Sequence, residues 1–297
     1  MGAGERDSYD PGGCYPESVP ELPEVEAVRR RLEPWMTGAR FDEVEVRRAG
    51  LRRPFPSEFR ARLIGRTVVT LSRRAKYLLV TVSSNDVLLV HLGMSGSFRV
   101  EAPGHDSTGQ RFSDPTTHDH VVFRMSSGAV ITFNDPRRFG VMDVLSPEAL
   151  DSHPVLSLLG PEPLSAAFDA AALARACRGR KTSLKAALLD QRVVAGLGNI
   201  YVSEALHLAA LSPQRRASTI ASASGAPRNT AVRLAAAVKQ VIAEAIARTI
   251  DLARYRSTRF RVYDREGKPC RRRRCGGVIR RLTQAGRSTF YCPICQR

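Results

Sequence analysis

Four cysteines close the chain with a spacing that suits a tetrahedral metal ion. Four residues lie inside the first pair, sixteen between the pairs and two inside the second: Cys270, Cys275, Cys292 and Cys295. Each pair can form a tight knuckle, and a β-hairpin with strand-like residues at 278–279 and 289–291 would bring the knuckles together around Zn²⁺. Two disulfides in a secreted module are the alternative, but no signal peptide is recognisable, which favours zinc.

Positive charge is concentrated in the same C-terminal region. The chain has 297 residues and a net charge of +17, and residues 251–297 hold 14 Lys or Arg against three acidic residues. Such a concentration favours a nucleic acid partner over a general effect on solubility. A membrane surface is the alternative, but no basic amphipathic helix with a bulky apolar face is evident, and the apolar runs are too short to cross a bilayer.

The order of the predicted elements indicates how these groups are positioned. Residues 1–19 are rich in Gly and Pro and aperiodic, which predicts a disordered extension. A helix near residues 22–33 precedes many short strand-like segments, which is typical of a β-sandwich. A Pro-rich connector then leads to helical segments. The prediction is an α+β multidomain fold: a β-sandwich domain with a leading helix at 20–146, a linker at 147–164, a helical domain at 165–250 and a β-hairpin zinc finger at 251–297.

Several short segments, in a consistent order along the chain, resemble the formamidopyrimidine-DNA glycosylases, bacterial enzymes that excise oxidised purines. They are PELPEVE at 20–26, RAKYLL at 74–79, HLGMSG at 91–96, NDPRRFG at 134–140, GLGNIYVSEAL at 196–206 and RSTFYC at 287–292. The resemblance implies a bifunctional DNA glycosylase and AP lyase of base-excision repair. It also implies that the helical domain is a helix-two-turn-helix domain and that the zinc is structural, one ion per chain.

The resemblance implies that Pro20 is the nucleophile and Glu21 the acid/base group. A terminal proline is a secondary amine that can attack the sugar C1′, whereas an internal proline is a tertiary amide without a usable lone pair. Nineteen residues precede Pro20. We therefore expect translation to start at the Val19 position and the initiator Met to be removed, so that residues 1–19 are absent from the mature protein.

The resemblance also assigns DNA contacts to seven residues. Lys76, which we count among the catalytic residues, would contact the phosphate at the lesion. Lys185, Asn199 and Arg287 would bind the DNA backbone. We expect the glycines before Asn199 to let a phosphate approach the backbone N–H groups at the start of a helix. By the same resemblance, Met94, Arg137 and Phe139 would form a wedge that fills the gap left by the extruded base.

The expected substrate is double-stranded DNA with oxidised or ring-opened purines or abasic sites, cleaved by β,δ-elimination through a proline Schiff base. The segment 249–259, before a strand-like stretch at 260–264, is short for the loop that closes over 8-oxoguanine, which favours formamidopyrimidine. The alternatives are an oxidised-pyrimidine enzyme of the endonuclease VIII type, or a non-catalytic lesion-binding paralogue if Pro20 stays internal. We expect a cytoplasmic, nucleoid-associated monomer without membrane contact.

Overall fold

The structure, a computed structural model, describes residues 19–102, 117–249 and 260–297. Backbone contacts divide the chain into two compact units. After Pro20, the first unit contains Arg31–Leu71 and Val80–Val144, and the second contains Glu21–Arg30, Ser72–Leu79 and Leu145–Arg297. None of the helices in the described part of the chain is both long enough and apolar enough to span a bilayer.

The N-terminal elements form the predicted β-sandwich with its leading helix. The helices are α1 (Leu22–Met36) and α2 (Phe59–Leu63), and the strands are β1 (Phe41–Val46), β2 (Val68–Arg74), β3 (Tyr77–Val82), β4 (Val87–His91), β5 (Ser97–Glu101), β6 (Asp119–Met125), β7 (Val130–Asn134) and β8 (Val141–Leu145). One sheet has the order β1-β6-β7-β5 with antiparallel neighbours, and the other has β2-β3-β4-β8.

Alternation of apolar residues explains how these strands bury one face. Along β3, Leu78, Val80 and Val82 are buried while the residues between them are partly exposed, as the two-residue repeat of a strand requires. In the other sheet the rings of Phe41 and Phe123 pack edge to face at 5.4 Å. The core of the sandwich therefore follows from the binary pattern of its strands.

The second unit contains a helical core around one nearly buried helix. Its helices are α3 (Pro147–Asp151), α4 (Ala170–Cys177), α5 (Leu184–Leu189), α6 (Asn199–Leu208) and α7 (Asn229–Thr249). The Asp169 and Ser183 side chains cap α4 and α5 by accepting from Ala172 N and Ala186 N. Residues 200–207 of α6 are all buried, and Leu22 of α1 belongs to the same core. Burial on all sides makes α6 a rigid support.

The zinc-finger region contains the predicted hairpin, shifted along the sequence. Its strands are β9 (Arg280–Gln284) and β10 (Arg287–Tyr291), joined through Ala285 and Gly286, which both have positive φ, the conformation of a tight hairpin turn. Residues 278–279 were predicted to be a strand, but they lie before β9. Val278 forms only an isolated bridge with Pro269, and Ile279 packs in the small core of the finger.

The prediction of a strand at residues 260–264 is also wrong. This segment forms a bend and a turn, because a buried side chain takes its backbone donors. The carboxylate of Glu204, on α6, accepts hydrogen bonds from the N–H groups of Arg261 (2.8 Å), Val262 (2.8 Å) and Tyr263 (3.0 Å). Because these three consecutive N–H groups donate to one carboxylate, they cannot form backbone hydrogen bonds with a neighbouring strand.

Candidate active site and zinc centre

The centre of the candidate site is a buried carboxylate at the start of α6. Glu21 accepts hydrogen bonds from the backbone N–H groups of Gly198 (2.7 Å), Ile200 (2.8 Å) and Tyr201 (3.4 Å), and only 3% of the residue is exposed. These groups are the donors that a helix start leaves without intrahelical partners, and the positive end of the helix favours an acidic group there. A residue distant in sequence therefore caps α6.

The two glycines before α6 are required by the chain segment that carries Glu21. A Cβ atom on Gly198 would lie 2.3 Å from Glu21 Cδ, and one on Gly196, which has φ +85°, would lie 2.4 Å from Leu22 Cδ1. Leu22 N also donates to Gly196 O at 3.2 Å. The expectation that these glycines open the helix start to a phosphate needs correction, because Glu21 occupies the N–H groups.

Burial sets the protonation of the acidic groups at this site. It raises the pKa of Glu21, against the opposing effects of the Lys76 ammonium group and the backbone donors. Burial also raises the pKa of Glu24 to about 7, although the Tyr201 hydroxyl donates to its carboxylate at 2.5 Å. Conversely, burial lowers the pKa of Lys76, and the nearby Arg287 lowers it further. Of these groups, Glu24 therefore exchanges its proton near neutral pH.

Pro20 precedes this carboxylate directly and is half-buried, while Val19 before it is exposed. The N–H group that follows Pro20, on Glu21, donates to the Glu24 carboxylate at 3.0 Å. This contact fixes the backbone next to the proline. In the complete chain the proline nitrogen is part of a peptide bond, so it has no nucleophilic lone pair.

A residue of the Pro-rich connector holds the turn that carries Lys76. The turn contains Ala75 with φ 53°, and the Glu162 carboxylate accepts from Ala75 N at 2.6 Å. The same carboxylate forms ion pairs with Arg73 at 2.8 Å and Arg74 at 3.0 Å. Sequence reasoning missed Glu162, since an isolated acid in a loop carries no pattern.

Lys185, Asn199 and Arg287 come together at the start of β10. Lys185 Nζ donates to Ser288 O at 2.9 Å and to Thr289 Oγ1 at 2.6 Å, and Asn199 Nδ2 donates to Ser288 O at 3.0 Å. Lys185 is fully buried, and burial, with Arg287 as a further cause, lowers its pKa to about 8. Arg287 itself is exposed. Of the three, Lys185 has no exposed surface for a phosphate in this structure.

The wedge residues belong to the first unit and lie on two turns. Met94 and Phe139 are 37% and 43% exposed, so they are not core residues, and the Arg137 guanidinium lies 5.0 Å from the centre of the Phe139 ring. The buried Asp135 connects the turns: it accepts from Ser95 Oγ (2.5 Å) and Gly140 N (2.7 Å). Apolar side chains held exposed on a rigid support are available to enter a base stack.

The four cysteines fit a zinc ion. Their Sγ atoms all lie within 4.8 Å of one another, with 3.8 Å between Cys270 and Cys295 and 3.6 Å between Cys275 and Cys292. A tetrahedral ion with Zn–S bonds of about 2.3 Å separates its ligands by about 3.8 Å. All four ligands are thiolates of the protein, so the ion is structural and has no open position for a substrate.

One of the four arginines inside the first knuckle, Arg272, contacts both the knuckle and α6. Arg272 N donates to Cys270 Sγ at 3.4 Å, and the Arg272 guanidinium donates to His207 O and Leu208 O at the end of α6. His207 Nε2 lies 3.3 Å from Cys270 Sγ. These contacts connect the knuckle to the helix whose other end holds Glu21.

Three family models match this chain. They are described as the formamidopyrimidine-DNA glycosylase N-terminal domain, matching residues 19–142, the formamidopyrimidine-DNA glycosylase H2TH domain, matching 159–256, and the zinc finger found in FPG and IleRS, matching 267–297.

Similar proteins carry the same description over their whole length. The formamidopyrimidine-DNA glycosylases of Rhodopseudomonas palustris (strain BisA53) and Bradyrhizobium diazoefficiens are each 57% identical over 293 residues, which covers 94% of this chain and 100% of the relative. Two Lactococcus lactis formamidopyrimidine-DNA glycosylase structures each match with a TM-score of 0.79 over 94% of this chain and 100% of theirs. One, 30% identical, binds DNA containing an AP site, and the other, 29% identical, binds DNA containing N7-benzyl-Fapy-dG.

Proposed function

Because the chain belongs to the formamidopyrimidine-DNA glycosylase family, we propose that it excises oxidised or ring-opened purines from duplex DNA and then cleaves the strand at the abasic site. The observation that carries the proposal is the buried Glu21 carboxyl group at the start of α6, directly after Pro20 and electrostatically coupled to Lys76. An acid beside a potential amine nucleophile is the arrangement that imine-forming chemistry needs.

In the proposed reaction the Pro20 amine attacks C1′ of the damaged nucleotide and the base departs. The sugar C1′–O4′ bond then breaks as the iminium forms, and O4′ takes a proton from Glu21. The raised pKa of Glu21 keeps a proton available for this step. The Schiff base acidifies the neighbouring C–H bonds of the sugar, so that β- and then δ-elimination release both phosphates.

The nucleophile requires that Pro20 become the chain terminus. We propose that the mature protein begins there, after a start at the Val19 position and removal of the initiator Met. The family match starting at residue 19 supports this. If Pro20 stays internal, the protein binds lesions without catalysis.

The proposed DNA contacts rest on the resemblance to the family, together with the exposure of Arg287, Met94, Arg137 and Phe139. We propose that Lys76, Asn199 and Arg287 bind phosphates of the damaged strand, and that Met94, Arg137 and Phe139 fill the gap left by the extruded base. Lys185 is buried, so its part in DNA binding is to hold β10, which carries Arg287.

Zinc holds the finger that presents Arg287, and the four cysteine thiolates bind it. The domain boundaries proposed from the sequence, 20–146, 147–164, 165–250 and 251–297, remain our assignment. We further propose that the protein acts as a monomer in the cytoplasm, at the nucleoid, where its DNA substrate lies.

Borohydride trapping on abasic-site DNA tests the nucleophile. A protein beginning at Pro20 should form a covalent adduct, whereas the 297-residue chain should not, because its Pro20 nitrogen is an amide. Replacing Pro20 by Gly in the shortened protein supplies a primary amine in place of the secondary amine, and this variant should retain some lyase activity. Equal trapping by the long and short proteins would show that another amine is the nucleophile.

A further inference from the structure

Four arginines of the first unit line one open cavity on its surface. The cavity has a volume of about 520 Å³ and is lined by residues 48–54 together with Arg138. Its arginines, all exposed, are Arg48, Arg52, Arg53 and Arg138, and no acidic residue lines it. Four like charges around one cavity create a strongly positive potential.

Unlike Arg40 and Arg47 of the same unit, these arginines have no acidic partner in the described part of the chain. Arg40 pairs with Asp42 at 2.9 Å and Arg47 pairs with Glu45 at 2.8 Å. None of the four cavity arginines forms such a salt bridge within residues 19–102, 117–249 and 260–297. Their guanidinium groups therefore remain available to an external anion.

The backbone beneath the cavity is constrained. Leu51 N donates to Arg53 O at 3.0 Å, and Arg52 N donates to Gly140 O at 3.1 Å. A Cβ atom on Gly50 would lie 2.5 Å from Arg53 O, so the loop closes tightly on itself. The arginines thus share one rigid support with the turn that carries Arg137 and Phe139.

We infer that this cavity binds backbone phosphates of the undamaged DNA strand beside the lesion. Planar guanidinium groups suit phosphate oxygens, and several of them around one cavity can bind adjacent phosphates. The choice of strand rests on the proposed function, in which Arg137 contacts the base left without its partner. Arg138, which lines the cavity, follows Arg137 in the chain, so the inference assigns the cavity to phosphates of the strand that carries this base.

Salt-dependent binding of the complete chain tests the site. The probe is a duplex containing a tetrahydrofuran abasic analogue, which binds without reaction. Arg52→Ala and Arg53→Ala should each weaken binding about tenfold and lower the slope of log K against log salt by about one. Arg66→Ala is the matched control, since Arg66 is an exposed arginine of the same unit outside the cavity. Slopes equal to that of Arg66→Ala would overturn the inference.

Neutral methylphosphonate linkages identify the contacted strand. When one such linkage is introduced at a time, one or two positions of the undamaged strand should weaken binding of the parent protein about as much as Arg52→Ala does. On a duplex modified at one of these positions, Arg52→Ala should cause no further loss of affinity. Coupling only to positions of the damaged strand would overturn the strand assignment. Urea denaturation shows whether the Arg52→Ala and Arg53→Ala proteins are folded under the conditions of the binding measurement. Because no catalysis is measured, absence of borohydride trapping contradicts the proposed function alone, and unchanged slopes contradict this inference alone.

Discussion

Glu21 and Glu24 lie three residues apart, are both buried, and bind different partners. Glu21 caps α6 through three backbone N–H groups, whereas Glu24 accepts from the Tyr201 hydroxyl and from the backbone N–H that follows Pro20. Glu24 therefore holds the backbone next to Pro20, the proposed nucleophile, while Glu21 is the proposed proton donor. The two acids differ in role because different hydrogen-bond donors surround each carboxylate.

The raised pKa of Glu24 predicts a pH-dependent stability. Its folded pKa of about 7 lies above the ordinary 4.5, so the folded protein binds this proton more tightly than the unfolded chain. The contribution to stability is complete below pH 4.5 and is lost as the pH rises through about 7. In urea denaturation, the free energy of unfolding of Glu24→Gln should rise by roughly 2–3 kcal/mol relative to that of the parent protein as the pH increases from 4.5 to about 7.

Glu26→Gln is the control, because the pKa of Glu26 moves the other way. Burial raises that pKa, but the guanidinium groups of Arg29 and Arg30 outweigh burial and keep it below the ordinary value. This contribution is present above pH 4.5 and is lost as the pH falls. The same pH trend for both variants would contradict the assignment of Glu24.

At the scale of elements, α6 is bound by side chains at both ends. Glu21 takes the N-terminal donors, and the Arg272 guanidinium donates to the C-terminal carbonyl groups of His207 and Leu208. Acids are favourable at the first end of a helix and cations at the last. One helix therefore connects the candidate active site to the zinc centre.

Removing the C-terminal contact should destabilise the protein. Arg272→Ala leaves two carbonyl groups without their charged donor, which should cost about 1–2 kcal/mol of unfolding free energy and hasten zinc release to a chelator. Arg273→Ala removes the same charge from an exposed neighbour and should leave both quantities unchanged. Equal losses in the two variants would mean that charge, rather than the helix contact, is responsible.

The finger allows metal binding and DNA binding to be separated. Cys292→Ser removes a ligand of zinc and should abolish duplex binding, because so small a module depends on its ion for a core. Arg287→Ala should retain zinc, weaken binding to all sequences and lower the salt slope by about one. Metal analysis and titration of a labelled duplex measure the two effects. A full zinc content in Cys292→Ser would refute the ligand assignment.

At the scale of the whole molecule, the sequence makes a prediction about substrate choice. The short segment 249–259 underlies this prediction, and only its first residue, Thr249, lies within the described residues. 8-Oxoguanine differs from guanine at few atoms and must be recognised by specific contacts, whereas formamidopyrimidine has lost its imidazole ring and an abasic site has no base.

Single-turnover rates on three duplexes test this expectation in the protein that begins at Pro20. Abasic-site and formamidopyrimidine duplexes should react faster than an 8-oxoguanine duplex, because the segment 249–259 is short for a loop that recognises an intact purine. The abasic duplex also serves as the control for lyase chemistry without base recognition. An 8-oxoguanine rate at or above the formamidopyrimidine rate would show that another part of the chain recognises the base.

The sequence by itself determined the fold class, the family and the zinc ligands, because these depend on local pattern. Period-two alternation along β3, the cysteine spacing and the six motif segments can all be read without tertiary information. The position of the first finger strand could not be predicted from the sequence. Residues 278–279 are strand-like in composition, but Val278 contacts Pro269 and Ile279 packs in the core of the finger.

Only the tertiary structure decided what the polar residues do, because hydrogen bonds between distant residues leave no local pattern. The Gly196-x-Gly198 motif was interpreted as a phosphate loop, whereas its glycines make room for Glu21 and Leu22. The resemblance assigns Lys185 to the DNA backbone, yet the fold buries it against β10. Glu162 has no sequence signal, because its role depends on the hydrogen bond that Ala75 N donates to it. Each role depends on a partner more than 80 residues away, which composition and spacing cannot reveal.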